Sequence, residues 1–226
     1  PRSTLFPYTT LFRSEIRKAI IEKILRTKYG QRATFLPEMF IDSFSRRADL
    51  VVANGNLAAF EIKSRRDNLD RLSGQIETYR RHFEYATVVC ATNHLAGVEA
   101  IVPDDVGIWT VNDKGAITVV RRPRKVETSK VDWLSFLPVD ELRQLLRANS
   151  LPTSGLRSTL IGRASDLPIK RIRRYAIDYL KRRHLRVQKI IEKRGAQNQL
   201  MATSRIEPPT ITENPIVPAI PRKKAN

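Results

Sequence analysis

Arg47-Ala48-Asp49-Leu50-Val51-Val52-Ala53-Asn54-Gly55-Asn56-Leu57-Ala58-Ala59-Phe60-Glu61-Ile62-Lys63 decides the fold. Two apolar runs flank Asn54-Gly55, the strongest short signal for a β-hairpin, because both central residues of a type I′ turn need positive φ. Side chains alternate across a strand, so Glu61 and Lys63 share one face and Ile62 takes the other. Asp49 on the first strand can meet them there. Charged pairs two apart commonly decorate a solvent face. Here the flanking residues are those of central, buried strands, where a charged trio is costly unless it is paired or holds a metal.

Working outward, residues 15–28 read as an amphipathic helix with Ile16, Ile20 and Ile24 as its stripe, ended by Gly30. Residues 34–41 are a strand interrupted by Pro37, hence irregular or at an edge. Leu69, Leu72, Ile76, Tyr79 and Phe83 recur at helical spacing. Residues 85–91 form a strand, 95–102 a short helix, and 107–111 and 116–120 strands about the turn 112–115. This α-β-β-β-α-β order gives an α/β domain over 15–120, a small mixed sheet flanked by helices. A charged linker spans 121–131. Helices at 139–148, 156–164 and from Pro168 onward form a small all-α module over 132–200. The Pro-rich tail, 201–226, is expected to be disordered. Residues 4–14 resemble the translation of a short-read sequencing adapter, so 1–14 are set aside as an artefact.

The 226 residues carry a net charge of +18, unevenly distributed. Residues 15–115 hold 15 Lys/Arg against 14 Asp/Glu, whereas residues 116–226 hold 24 against 9. Such asymmetry points to a polyanion partner, with a solvated basic surface as the alternative. The lone Cys90, in an apolar strand, reads as a buried thiol and fits a reducing, cytoplasmic setting. No apolar run approaches the ~20 residues that span a membrane. His82, His94 and His184 lack metal-ligand spacing.

Asp49, then Glu61-Ile62-Lys63, then Gln75 and Tyr79 one turn apart, resembles the PD-(D/E)xK nuclease superfamily. With Arg47-Ala48, Ser64, Asp67, Leu69, Arg71 and Leu72, the string is closer to a bacterial family of nuclease-like proteins named after a Sorangium locus. The resemblance implies a restriction-endonuclease-like core and metal-dependent cleavage of DNA, as endonuclease or exonuclease. Asp49 and Glu61 would hold Mg²⁺ or Mn²⁺, and Lys63 would orient the attacking water. Gln75 and Tyr79 would support the site; otherwise Tyr79 packs in the core and Gln75 lies on the helix surface. Glu38 is a further candidate metal ligand, or a surface carboxylate. Asp67 and Arg71 are spaced for a local ion pair. The rival reading is a non-catalytic DNA-binding protein with the same fold; RNA is a third possible target.

Leu137 to Arg147, Leu151-Pro152-Thr153-Ser154-Gly155 and Leu160-Ile161 resemble a SAP-type helical module, which implies DNA contacts from Arg143, Arg147, Arg157 and Arg163. The alternative is a helical hairpin packed on the core. Lys170, Arg171, Arg173 and Arg174, followed by Lys181, Arg182, Arg183 and Arg186, extend the basic set along the next helix, for backbone neutralisation rather than base reading. The expectation is thus a cytoplasmic bacterial or phage protein that binds DNA, and such folds often act as homodimers.

Overall fold

The structure, a computed structural model, describes residues 12–41 and 46–203, with side chains through residue 193. It is mixed α/β. Among the described residues there are six strands in one sheet and seven α-helices: α1 (Arg13–Leu25), β1 (Thr34–Ile41), β2 (Arg46–Ala53), β3 (Leu57–Lys63), α2 (Leu72–His82), β4 (Tyr85–Ala91), α3 (Leu95–Ile101), β5 (Gly107–Val111), β6 (Ile117–Arg121), α4 (Lys130–Ser135), α5 (Val139–Arg147), α6 (Arg157–Ser165) and α7 (Ile169–Thr203). The strands lie in chain order across the sheet, β3-β4-β5 parallel and the outer pairs antiparallel.

Every residue of β3 is buried, because both faces of the sheet are covered. Leu50, Val52, Phe60 and Ile62 face the stripe Ile16, Ile20 and Ile24 of α1. Val51, Leu57, Ala59 and Val88 face Leu72, Ile76 and Tyr79 of α2. That second core continues without a break into Trp133, Leu134, Leu142 and Leu160. The helices expected to form a separate module therefore share the core of the sheet, and residues up to Leu185 form one compact unit. A second unit begins at Arg186 and continues α7.

Three local features differ from the sequence expectation. Ala53 pairs with Leu57, so the hairpin loop has three residues; only Gly55 takes positive φ, at 67°. A three-residue loop needs one left-handed position rather than the two of a type I′ turn. Glu38 adopts φ 53°, unusual for a residue with a Cβ, between the paired positions Pro37–Leu50 and Met39–Ala48. Proline 37 thus marks an edge strand that is also irregular. Helix α4 begins within the expected linker, capped by Ser129, whose Oγ accepts from the Asp132 N–H. Of the stretch 1–14 set aside as an artefact, residues 1–11 lie outside the described residues and residues 13–14 open α1; of the tail 201–226 expected to be disordered, residues 201–203 belong to α7 and the rest lie outside the described residues.

Candidate functional site

The β2–β3 ladder ends at the pair Leu50–Phe60, and β3 continues to Lys63 on β4 alone. Asp49 sits where the two strands part. Its Oδ2 accepts the Ile62 N–H at 2.8 Å, replacing the ladder bond that a straight pair would make. Glu61 and Lys63 stand on the same face, where α2 packs across them. Tyr79 donates to Glu61 Oε2 at 2.6 Å, and Gln75 Nε2 donates to Glu61 Oε1 at 2.7 Å. Lys63 Nζ donates to Gln75 Oε1 at 2.9 Å and lies 3.3 Å from Glu61 Oε1. The five residues expected to converge do so, and Gln75 and Tyr79 join the network from successive turns of one helix face. Tyr79 is both a core residue and a hydrogen-bond donor.

Glu61, Lys63 and Asp49 are 1, 4 and 6 % exposed. Burial raises the Glu61 carboxyl above its ordinary range and the Asp49 charge raises it further, against the bonds from Tyr79 and Lys63. Burial also raises Asp49, more than the Ile62 N–H and the Arg13 charge lower it. Two carboxylates in one dry space resist simultaneous ionisation. Lys63 and the amide of Gln75 supply the compensating donors, so the cluster is a hydrogen-bonded network closed on itself.

Glu38 does not join it. Its carboxylate binds Arg17 and Arg47, each at 2.7 Å, and both hold it below the usual range. The positive φ turns this residue out of the strand alternation that would have faced it towards Asp49. Among the described residues no group of three or more His, Cys, Asp or Glu side chains is placed to hold a metal ion. Asp67 pairs with Arg13 at 2.6 Å and accepts from the Ser64 N–H and Oγ; no bond to Arg71 is formed. Burial would raise Asp67, but the bonds from Arg13 and Ser64 outweigh it and bring it down to about 2. Arg13 also approaches Asp49, at 3.6 Å, and so roofs the carboxylate pair. Arg13 falls within the stretch 1–14 that the sequence reading sets aside as an artefact, yet it opens α1 and joins this cluster.

The eight basic residues expected to contact DNA divide sharply. Arg157 donates to Leu137 O at 2.6 Å and Ser135 O at 3.2 Å. Arg163 donates to Pro152 O and Ser154 O, pinning the loop before α6. Arg171 binds Asn149 Oδ1. Arg173 grips both oxygens of the buried Glu84, at 2.9 and 2.8 Å, and reaches Gly55 O and Asn56 Oδ1 in the hairpin loop. Arg143 leans on Asp140 at 3.5 Å. Arg147, Lys170 and Arg174 are exposed and make no hydrogen bond or ion pair among the described residues. Lys170 and Arg174 form a ridge that lines two clefts, of about 810 and 660 Å³. Lys181, one of the basic residues expected on this helix, also lines the larger cleft; Lys125, which lines it too, was not anticipated, although it lies in the most basic part of the linker.

The family model described as bacteriophage P4 protein cII matches residues 8–208. Protein cII of Enterobacteria phage P4 is 35% identical over 176 residues, covering 75% of this chain and 67% of that protein. A solved protein of unknown function from Silicibacter pomeroyi aligns with 57% of this chain and 80% of its own at 17% identity and a TM-score of 0.38, too slight to carry a fold assignment. These matches overturn the resemblance to PD-(D/E)xK nucleases and to the Sorangium-named and SAP-type families. The deoxyribonuclease reading, and the hydrolase and magnesium-dependent character drawn from it, fall with that resemblance. The physical reason is plain in the network. A strand pair followed by a helix packed across it brings these side chains together whatever task they serve, so a short string of them does not single out one family.

Proposed function

We propose that this chain, which belongs to the bacteriophage P4 protein cII family, binds the phosphate backbone of DNA through the exposed cations of its helical half. One observation carries the reading: Lys170 and Arg174, one turn apart on α7, stand exposed, without a partner among the described residues, on a ridge between two clefts. The excess of Lys/Arg after residue 115 supports it. Arg147, exposed at the end of α5, adds a third cation of the same kind.

Such contacts neutralise phosphates and release condensed counterions, so affinity falls with salt and depends little on sequence. Arg157, Arg163, Arg171 and Arg173 contribute indirectly, by fixing the helices that carry the ridge. Nothing in a backbone contact of this type separates DNA from RNA, so both duplexes belong in the test. Among the described residues no helix is long and apolar enough to cross a membrane.

The test is fluorescence anisotropy with labelled DNA and RNA duplexes across a salt series. Replacing Lys170 and Arg174 together by alanine is expected to reduce the slope of log affinity against log salt by about 1.8, two phosphate contacts at about 0.9 each. An unchanged slope in a folded double variant rejects the ridge as the binding surface.

A further inference from the structure

The larger cleft lies between the start of α7 and the extended segment 122–129, with a volume of about 810 Å³. Small-molecule sites commonly fall at about 300–1,000 Å³, with apolar walls and few polar groups. Val126 and Ile169 give this cleft an apolar wall, backed by the buried Trp133 and Ile177. Lys125, Lys170, Arg173, Arg174 and Lys181 line it as well. Its three carboxylates are outnumbered, and one of them, Glu84, is already paired with Arg173 and Lys125. The first turn of α7, which leaves N–H groups without intrahelical acceptors, lies alongside at Ile169 and Lys170.

A free phosphate would leave most of the volume and the apolar wall unused. A duplex presents its backbone to a surface and does not fill an inward cleft.

We propose that this cleft binds a nucleotide, its phosphate held by Lys181, Lys170 and Arg174 and its base against the apolar wall. The site stands on the cleft alone and does not require the DNA reading. Because Lys170 and Arg174 also form the outer ridge, a nucleotide in the cleft competes with duplex wherever both bind.

The experiment is isothermal titration calorimetry on the full chain with adenosine 5′-monophosphate, adenosine and inorganic phosphate. The monophosphate is expected to saturate one site, with adenosine and phosphate each at least about tenfold weaker. Lys181→Gln, a change at a side chain that makes no hydrogen bond or ion pair among the described residues, is expected to weaken it about three- to tenfold without moving the melting temperature. The inference is overturned if the monophosphate shows no saturable binding, if adenosine or phosphate matches it, or if Lys181→Gln binds as wild type. Nucleotide binding without duplex binding upholds the cleft and rejects the DNA reading; duplex binding without nucleotide binding does the reverse.

Discussion

Tyr79 and Glu61, 18 residues apart, are joined by a hydrogen bond of 2.6 Å inside the core, the phenol of α2 donating to the carboxylate of β3. Each group explains the other's burial. A tyrosine hydroxyl in an apolar core needs an acceptor, and a buried carboxylate needs donors. Burial first, and then the Glu61 charge, raise the Tyr79 phenol well above its ordinary range, so it stays a donor across the physiological pH range.

Tyr79→Phe removes that donor and leaves Glu61 Oε2 buried without it. The expected loss is about 1–3 kcal/mol of stability at neutral pH, measured by urea denaturation. The loss should shrink at acid pH, where a protonated Glu61 no longer needs the same support. A variant as stable as wild type at neutral pH would show that the bond adds nothing net.

The carboxylate pair and Asp67 act in opposite directions on acid stability. Asp49 and Glu61 are raised in the fold, so between the unfolded and folded values the native state holds more protons than the unfolded chain. Their contribution is complete below the unfolded range, about pH 4, and is lost as pH rises through the folded values. Asp67, lowered to about 2, contributes stability above the unfolded value that is lost as pH falls towards 2. Glu61→Gln should therefore gain on wild type in alkaline solution, whereas Asp67→Asn should lose on the order of 2 kcal/mol at neutral pH and little near pH 2. Denaturation midpoints across the pH range check both; parallel curves for all three proteins would contradict the assignment.

The sheet was legible because its strands carry strict signals. β4 and β5 match the expected residues, and the period of two in β3 puts Glu61 and Lys63 on one face. The i, i+4 spacing of Gln75 and Tyr79 put the two on one helix face, but not against which partner. Other features depend on long-range partners and could not be read locally. Glu38 left the strand alternation through its own backbone angle. Asp67 chose Arg13, 54 residues away, over Arg71 one turn away. The guanidinium groups of Arg157, Arg163 and Arg173 looked like surface charge in sequence, yet each reaches carbonyls or carboxylates of the fold. Ser129-Lys130-Val131-Asp132, by contrast, was a readable capping signal for α4. Function was the least legible, because the same charged string can serve as a site or as a sealed network.

Arg173 and Glu84 tie α7 to the sheet. Burial would raise Glu84, but Arg173, Lys125 and the Leu57 N–H outweigh it and hold it low. Arg173→Met strands a buried carboxylate with one remaining cation. Complete loss of a buried pair's partner costs about 3–5 kcal/mol; Arg173 is partly exposed and Lys125 remains, so about 2 kcal/mol is expected. Combining it with Glu84→Gln should restore part of the loss. A double-mutant cycle measures that coupling, and additive effects would mean that the two residues act separately.

Arg157 and Arg147 make the sharpest contrast among the cations of the helical half. Arg157 joins the start of α6 to the α4–α5 connection through two backbone carbonyls, whereas Arg147 stands exposed without a partner among the described residues. Arg157→Ala should cost about 1–2 kcal/mol in urea denaturation by leaving those carbonyls short of a donor, with duplex affinity at wild-type level once the protein is folded. Arg147→Ala should leave stability unchanged and lower the salt slope of duplex binding by about 0.9. If the two variants exchange phenotypes, Arg157 releases its carbonyls on binding and the division between framework and contact cations is wrong.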